Sequence, residues 1–246
     1  MLSFYDNDHG LCLAYNSSVL ATLKQTAELL EVFRKEGTEL LYKKGEFIIR
    51  PGESPPGIFY IYQGVVKAYD ITKYGEENLL IIRKEHELFP LIWAMTGQER
   101  GVVYEALAPT ILWRIDRERF TEYMKAHSEA LAPLLDMTIE MYRLHSERIM
   151  NLEFRSVRER IISFLLTMSR RFGEPCETGT RLTIPLRHQD IASSINASRE
   201  TASRELAGLE RKGLIKSEQS IITLCDVAAL KAYLGLEKPG AHEGAD

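Results

Sequence analysis

SSINASRETASRELAGLERKGLI, residues Ser193 to Ile215, reads as the end of one helix, a tight turn and the start of another. Just upstream, LRHQDIASSIN spaces Ile191 and Ile195 four residues apart, as on one face of a short helix. Asn196 falls where the chain has to turn, and asparagine is among the few non-glycine residues that tolerate positive φ. Ser198 can then cap a new helix by accepting from a free backbone N–H, and Glu200 in its first turn is favoured by the helix dipole. Leu206 and Leu209, with Ala202, make the inward stripe, so Arg199, Glu200, Ser203 and Arg204 project from the other side near the N-terminus. After Gly213, LIKSEQSIITL alternates around a polar turn as a β-hairpin does. The spacing predicts a winged helix-turn-helix.

These residue types suit reading of a DNA major groove. Arginine bonds guanine bidentately at O6 and N7, and glutamate accepts from the amino group of cytosine, so Arg199, Glu200, Ser203 and Arg204 are the candidate base readers. Arg187, His188, Gln189, Ser198, Thr201 and Lys216 are the candidates for phosphate contacts, which orient a duplex without reading it. The competing account is a solvated helix face held together by its own salt bridges. Charge distribution favours the first account. The chain of 246 residues carries a net −4, but residues 155–217 hold twelve Lys/Arg against seven Asp/Glu, leaving −9 for the remainder. A basic C-terminal third on an acidic body fits a module that meets phosphates and a body that does not.

Upstream, the texture changes twice. From Leu40 to Ile115, short apolar or alternating runs are broken by glycines such as Gly45, Gly52, Gly57, Gly64 and Gly75, the punctuation of a small antiparallel barrel or jelly roll. In GIFYIYQGVVKAYDI, Val66 and Ala68 are expected to face inward, with Val65, Lys67 and Tyr69 on the opposite face. After Asp116 the glycines stop, and one long helix is expected, bent or restarted near Pro133. Leu131, Leu135, Thr138, Tyr142, His145, Ile149 and Leu152 form a heptad seam along it, beside a second stripe of Leu134, Met137, Met141 and Leu144. One stripe can face the β domain and the other a partner chain. The fold class is α+β, divided into a β-roll at 1–116, a long helix at 117–154, a winged helix-turn-helix at 155–235 and a flexible tail at 236–246.

Other functions find little support. Cys12, Cys176 and Cys225 lie far apart, too few for a four-thiolate iron–sulfur cluster or a disulfide framework. No run approaches the ~18 apolar residues of a membrane helix, and MLSFYDNDHG carries acids where a secretory signal carries bases, so a cytoplasmic location is expected. GxSxG, P-loop and HExxH patterns are absent, and no enzyme is expected.

The motif SRETASR, Ser198 to Arg204, resembles the recognition helix of the CRP/FNR family of bacterial transcription regulators, and the resemblance extends through the β-roll, the long helix and RSVRERIISFLL. It implies that Glu200 and Arg204 read a G·C pair in each half of a palindrome. Arg199 corresponds to the arginine of the cyclic-AMP branch and Ser203 to the serine of the FNR-like E-x-x-S-R pattern, which favours a half-site like TTGAT over TGTGA. It also implies a homodimer paired through the long helix, and RNA polymerase as a partner.

In cyclic-nucleotide binders of the family, a Phe-Gly-Glu stretch and an Arg-Ser/Thr pair hold the ribose and phosphate. Here Arg100 is followed by Gly101, and the Gly-Glu positions fall on Phe89 and Pro90. Proline has no N–H for a phosphate, and phenylalanine cannot accept from a ribose hydroxyl, so cyclic AMP is not the expected ligand. No cofactor is expected. His86 is the nearest candidate axial ligand should haem be sensed. Phe89, Trp93, Arg100 and Tyr104 are the candidate pocket for a small aromatic effector, the competing account being that these aromatic rings simply pack the core.

Overall fold

The computed structural model describes residues 30–236. A helix ending at residue 36 (α1, residues 30–36) leads into β1 (Thr38–Tyr42), β2 (Phe47–Ile49), β3 (Ile58–Gln63), β4 (Val66–Ile71), β5 (Glu77–Arg83) and β6 (Leu88–Phe89). The short α2 (Leu91–Thr96) precedes β7 (Val103–Ala106) and β8 (Thr110–Ile115). The strands form two antiparallel four-stranded sheets, in orders β1-β8-β3-β6 and β2-β7-β4-β5, which face each other as a roll. Their shared interior holds Ile49, Phe59, Ile61, Val66, Ala68, Phe89, Tyr104 and Leu112. The link from β3 to β4 is tight because Gly64 lies at φ 102°, and a side chain there would come within 2.6 Å of the Pro109 carbonyl oxygen.

The segment expected as one helix is two. α3 (Arg117–Ala126) ends at His127, a 3₁₀ turn spans Ser128–Ala130, and α4 (Leu131–Phe154) then runs for 24 residues. Pro133 is tolerated because it sits in the first turn of α4, where its missing N–H would have had no intrahelical acceptor. The stripe Leu134, Met137 and Met141 packs against the roll, beside Phe33, Tyr60 and Phe120.

The helix α5 (Val157–Phe172) begins at a capping box in which the Ser156 hydroxyl accepts from Glu159 N–H while the Glu159 carboxylate accepts from Ser156 N–H. GEPCETGTR, whose composition is that of a turn-rich connection, forms the hairpin β9 (Gly173–Cys176) and β10 (Gly179–Leu182). The fold closes with α6 (His188–Ser194), α7 (Arg199–Arg211), β11 (Ile215–Glu218), β12 (Ile221–Leu224) and α8 (Val227–Tyr233). β11 and β12 are the expected wing, turned at Gln219 and Ser220 with φ 51° and 68°, and β10 pairs with β12 to extend it into a sheet of order β11-β12-β10-β9. No helix among the described residues is long and apolar enough to cross a membrane. The expected tail at 236–246 lies, beyond its first residue, outside the described residues, as does Cys12.

The C-terminal unit is docked on the roll. Tyr69, Leu79, Ile82, Val103 and Leu107 of the sheets share one apolar core with Ile161, Leu165, Ile191 and Leu206 of the helices. The β4 face carrying Lys67 and Tyr69 is therefore covered, and Lys67 is only 1% exposed. Its ammonium lies 3.1 Å from Glu105, 3.5 Å from Glu77 and 3.9 Å from Asp190 of α6, with the Tyr69 ring 4.6 Å away. A buried lysine is tolerable only with such compensation.

Candidate nucleic-acid interface and sensor cavity

The turn between α6 and α7 has the geometry its sequence implies. Asn196 adopts φ 52°, and the Ser198 hydroxyl accepts from Thr201 N–H at 3.1 Å, capping α7. Ala202, Leu206 and Leu209 are buried, anchoring one face of α7 in the shared core. Arg199, Glu200 and Arg204 are exposed on the other face, and among the described residues they form no hydrogen bond or ion pair. The salt bridge of this helix is made by its neighbour Glu205, which accepts from Arg158 of α5 at 2.7 Å. A face held by internal ion pairs is thus not what α7 presents at its opening turns. It presents two guanidinium groups and a carboxylate with their donors and acceptors uncommitted, the chemistry that base edges require.

The remaining candidates are more engaged. Ser203 is half-buried, and its hydroxyl lies 2.8 Å from His188 Nδ1, tying α7 to the first residue of α6. The Arg187 guanidinium is held bidentately by Asp190 at 2.9 and 3.0 Å, although it remains largely exposed. Ser198 and Thr201 bond each other, Gln189 is exposed, and Lys216 on β11 forms a solvent-exposed pair with Glu218 at 2.7 Å.

On the sensor side, a cavity of about 1350 Å³ opens between the sheet containing β4, β5 and β7, the helix α4 and the start of α7. Trp93, Arg100 and Tyr104 line it, as do Arg83, His145 and Arg148. Burial, reinforced by the positive charges of Arg148 and Arg83, holds the His145 imidazole below its ordinary pKa. Phe89 corrects the expected pocket. It is fully buried, stacked between Phe59 and Tyr104 at centroid distances of 5.1 and 4.6 Å, so it fills the roll's core. His86 is half-buried at φ 69°, and its Nδ1 lies 2.7 Å from the Tyr60 hydroxyl. Gln189, Ser198, Arg199 and Glu200 border the same cavity, so the opening turn of α7 faces the roll.

The expected seam on α4 is displaced. Leu131, Leu135, Tyr142 and Ile149 are exposed, joined by Ile139, Met150 and Phe154, which the heptad reading missed. His145 and Leu152 line the cavity, which Ile149 also borders, and the Thr138 hydroxyl donates to the Leu134 carbonyl. On a 3.6-residue helix a strict heptad drifts by about 20° per repeat, which carries His145 and Leu152 off the exposed stripe toward the cavity.

With this geometry in place, comparison with known proteins is informative. The profile described as "Crp-like helix-turn-helix domain" matches residues 159–233, and that described as "Cyclic nucleotide-binding domain" matches residues 39–127. The chain is 29% identical over 224 residues to the "Global nitrogen regulator" of Synechocystis, covering 85% of this chain and 96% of that protein. It is 25% identical to the "Transcriptional activator protein FnrA" of Stutzerimonas stutzeri, over 92% of this chain and 89% of the relative. Among solved structures, FixK2 of Bradyrhizobium japonicum aligns with a TM-score of 0.69 at 23% identity, over 83% of this chain and 99% of its own, a likeness of fold.

Proposed function

The chain belongs to the CRP/FNR family of transcription regulators, and from that premise we propose that it binds DNA as a homodimer, one α7 entering the major groove of each half of an inverted repeat. The observation that carries this reading is the uncommitted set Arg199, Glu200 and Arg204 on the capped opening turns of α7, with the wing beside it. Glu200 and Arg204 read one G·C pair per half-site, Arg199 and Ser203 set the flanking preference, and Arg187, His188, Gln189, Ser198, Thr201 and Lys216 hold phosphates. Ser203 favours a half-site like TTGAT. Dimerisation uses the exposed apolar stripe of α4 from Leu131 to Phe154, since two copies burying it against each other remove a continuous nonpolar face from water. RNA polymerase is the further partner, and the cytoplasm the compartment.

Control follows from the orientation of α7. Its base-reading turn borders the sensor cavity, so a duplex reaches it only after the C-terminal unit swings from the roll. The pivot is Arg155–Ser156, two extended residues that form the junction between α4 and α5. An effector in the large cavity, whose walls come from the roll, α4 and the start of α7, biases that swing. The cavity walls lack the ribose and phosphate contacts of a cyclic-AMP site, because Pro90 and Gly101 stand at two of those positions.

The test is selection of bound duplexes from a random pool by the purified full chain, with and without cell extract. An enriched inverted repeat with a G·C pair in each half is expected. Enrichment of sequences without two-fold symmetry would overturn the reading.

A further inference from the structure

The C-terminal unit meets the roll through polar contacts as well as through the shared apolar core. Arg171, in the last turn of α5, reaches across the boundary: its Nη2 donates to Glu87 Oε1 at 2.7 Å and to the Ile82 carbonyl at 3.0 Å. The Arg171 side chain is 7% exposed and that of Glu87 14%, so the pair is largely shielded from water. The other carboxylate oxygen of Glu87 lies 3.5 Å from Arg83 Nη1 on the roll, a longer contact than the one Glu87 makes across the boundary. Another ionic contact between the units, Lys67 to Asp190 at 3.9 Å, is weaker, because each partner has a nearer one in its own unit: Glu105 for Lys67 at 3.1 Å and Arg187 for Asp190 at 2.9 Å.

Position gives the Arg171 contact leverage. The helix α5 starts at the Arg155–Ser156 pivot and rises by about 1.5 Å per residue, which sets Arg171 roughly 20 Å from it. A small rotation at the pivot therefore parts Arg171 from Glu87, while contacts nearer the pivot, such as Asn151 Nδ2 to Ser163 Oγ at 2.8 Å, move less. The energetics suit a catch that opens. With the unit swung away, Arg171 and Glu87 are both hydrated, so parting the intact pair has a small net effect. Removing one partner acts differently: the group left behind is buried and underpaired in the docked arrangement but hydrated in the open one. Such a substitution penalises the docked arrangement alone and shifts the population toward the open one.

We propose that the Arg171–Glu87 pair, with the Ile82 carbonyl, is an autoinhibitory latch, an inference that rests on the reading that the docked arrangement keeps α7 from a duplex. The latch holds the far end of α5 on the roll and so keeps the opening turn of α7 facing it. Arg171 lies on α5, away from the base-reading residues of α7, so its loss leaves the DNA-binding surface intact and raises affinity instead of lowering it.

The experiment compares the full wild-type chain with Arg171→Ala and Arg171→Lys in two assays. On the inverted repeat enriched from the random pool, Arg171→Ala is expected to bind about tenfold tighter, since apparent affinity scales with the fraction of open chains. Arg171→Lys keeps one charged contact and should fall between the two. Without DNA, trypsin cleavage after Arg155 at the pivot, read by mass spectrometry, should accelerate by about the same factor, because cleavage follows the open population. Cleavage after Arg114, on the inner strand β8, should not rise in step, which separates undocking from unfolding. Should Arg171→Ala fail to fold, Glu87→Gln takes its place with the same signs expected. Equal or weaker DNA binding by a folded variant, or an Arg155-to-Arg114 cleavage ratio unchanged from the wild type, would overturn the latch. A wild type that enriches no inverted repeat would defeat the DNA-binding reading instead, and the DNA-free cleavage ratio would still decide the latch.

Discussion

Ser203 Oγ stands 2.8 Å from His188 Nδ1, so a side chain near the start of α7 is fixed by the first residue of α6. Residues that share one hydrogen bond are energetically coupled. Ser203→Ala and His188→Ala should each weaken binding to the selected site, and the double variant should lose less than the sum, with a coupling of about 0.5–2 kcal/mol. Fluorescence anisotropy on the four proteins measures it, and strictly additive losses would show that the contact does not set the Ser203 hydroxyl.

Arg204→Ala should cost about 1–3 kcal/mol on the selected site and relax the preference at one base pair. Lys216→Ala should weaken binding to specific and scrambled duplexes alike and reduce the salt slope by about one. Equal losses on both duplexes for Arg204→Ala would remove it from base reading.

Tyr142 is 75% exposed and Leu135 60% exposed, on the α4 stripe assigned to pairing. Tyr142→Asp or Leu135→Asp should place a charge in the apolar seam and halve the mass seen by sedimentation equilibrium. Since both side chains face solvent within one copy, the unfolding of the isolated chain should barely change. A dimer that survives both substitutions would mean that another surface pairs the copies.

Lys67 lies under α6 with three carboxylates around its ammonium. Lys67→Met removes the cation and leaves the largely buried Glu105 without its counter-ion, while Asp190 keeps Arg187, which should destabilise the fold by about 3–5 kcal/mol in denaturant unfolding. A change under 1 kcal/mol would show that the cluster is hydrated or rearranges.

Tyr60 is buried beside His86, and burial, with Glu85 adding to it, pushes the phenol up to about 12 from 10. The raised folded value means that the neutral phenol is favoured in the fold. Its contribution is therefore complete below pH 10 and is lost as pH rises toward 12. Stability of the wild type should fall across that window, and Tyr60→Phe should flatten part of the fall. An identical alkaline profile in the two proteins would assign the loss to other groups.

Much of the interface was legible because its determinants are local. A turn asparagine, an N-cap serine and a leucine stripe lie within one short stretch, and Asn196, Ser198 and Leu206 take up the expected geometry. The β9–β10 hairpin was not legible, since GEPCETGTR has the composition of a loop and gains its strands by pairing with β12 some forty residues later. Phe89 shows the same limit: an aromatic residue suits a pocket wall and a core equally, and only its neighbours Phe59 and Tyr104 assign it to the core. The α4 seam was legible in kind but shifted in register, because a heptad template follows 3.5 residues per turn and this helix does not.

The sequence by itself determined the order of units, the capped helix that offers Arg199, Glu200 and Arg204, and the existence of two apolar stripes on α4. These follow from backbone hydrogen bonding and side-chain periodicity, which are properties of neighbouring residues. Only the tertiary structure decided that α6 covers Lys67 and Tyr69 and that the opening turn of α7 borders the large cavity beside the roll. Periodicity states that a face must be buried or may stay wet. What meets that face depends on contacts between distant residues, whose combined burial outweighs any local preference.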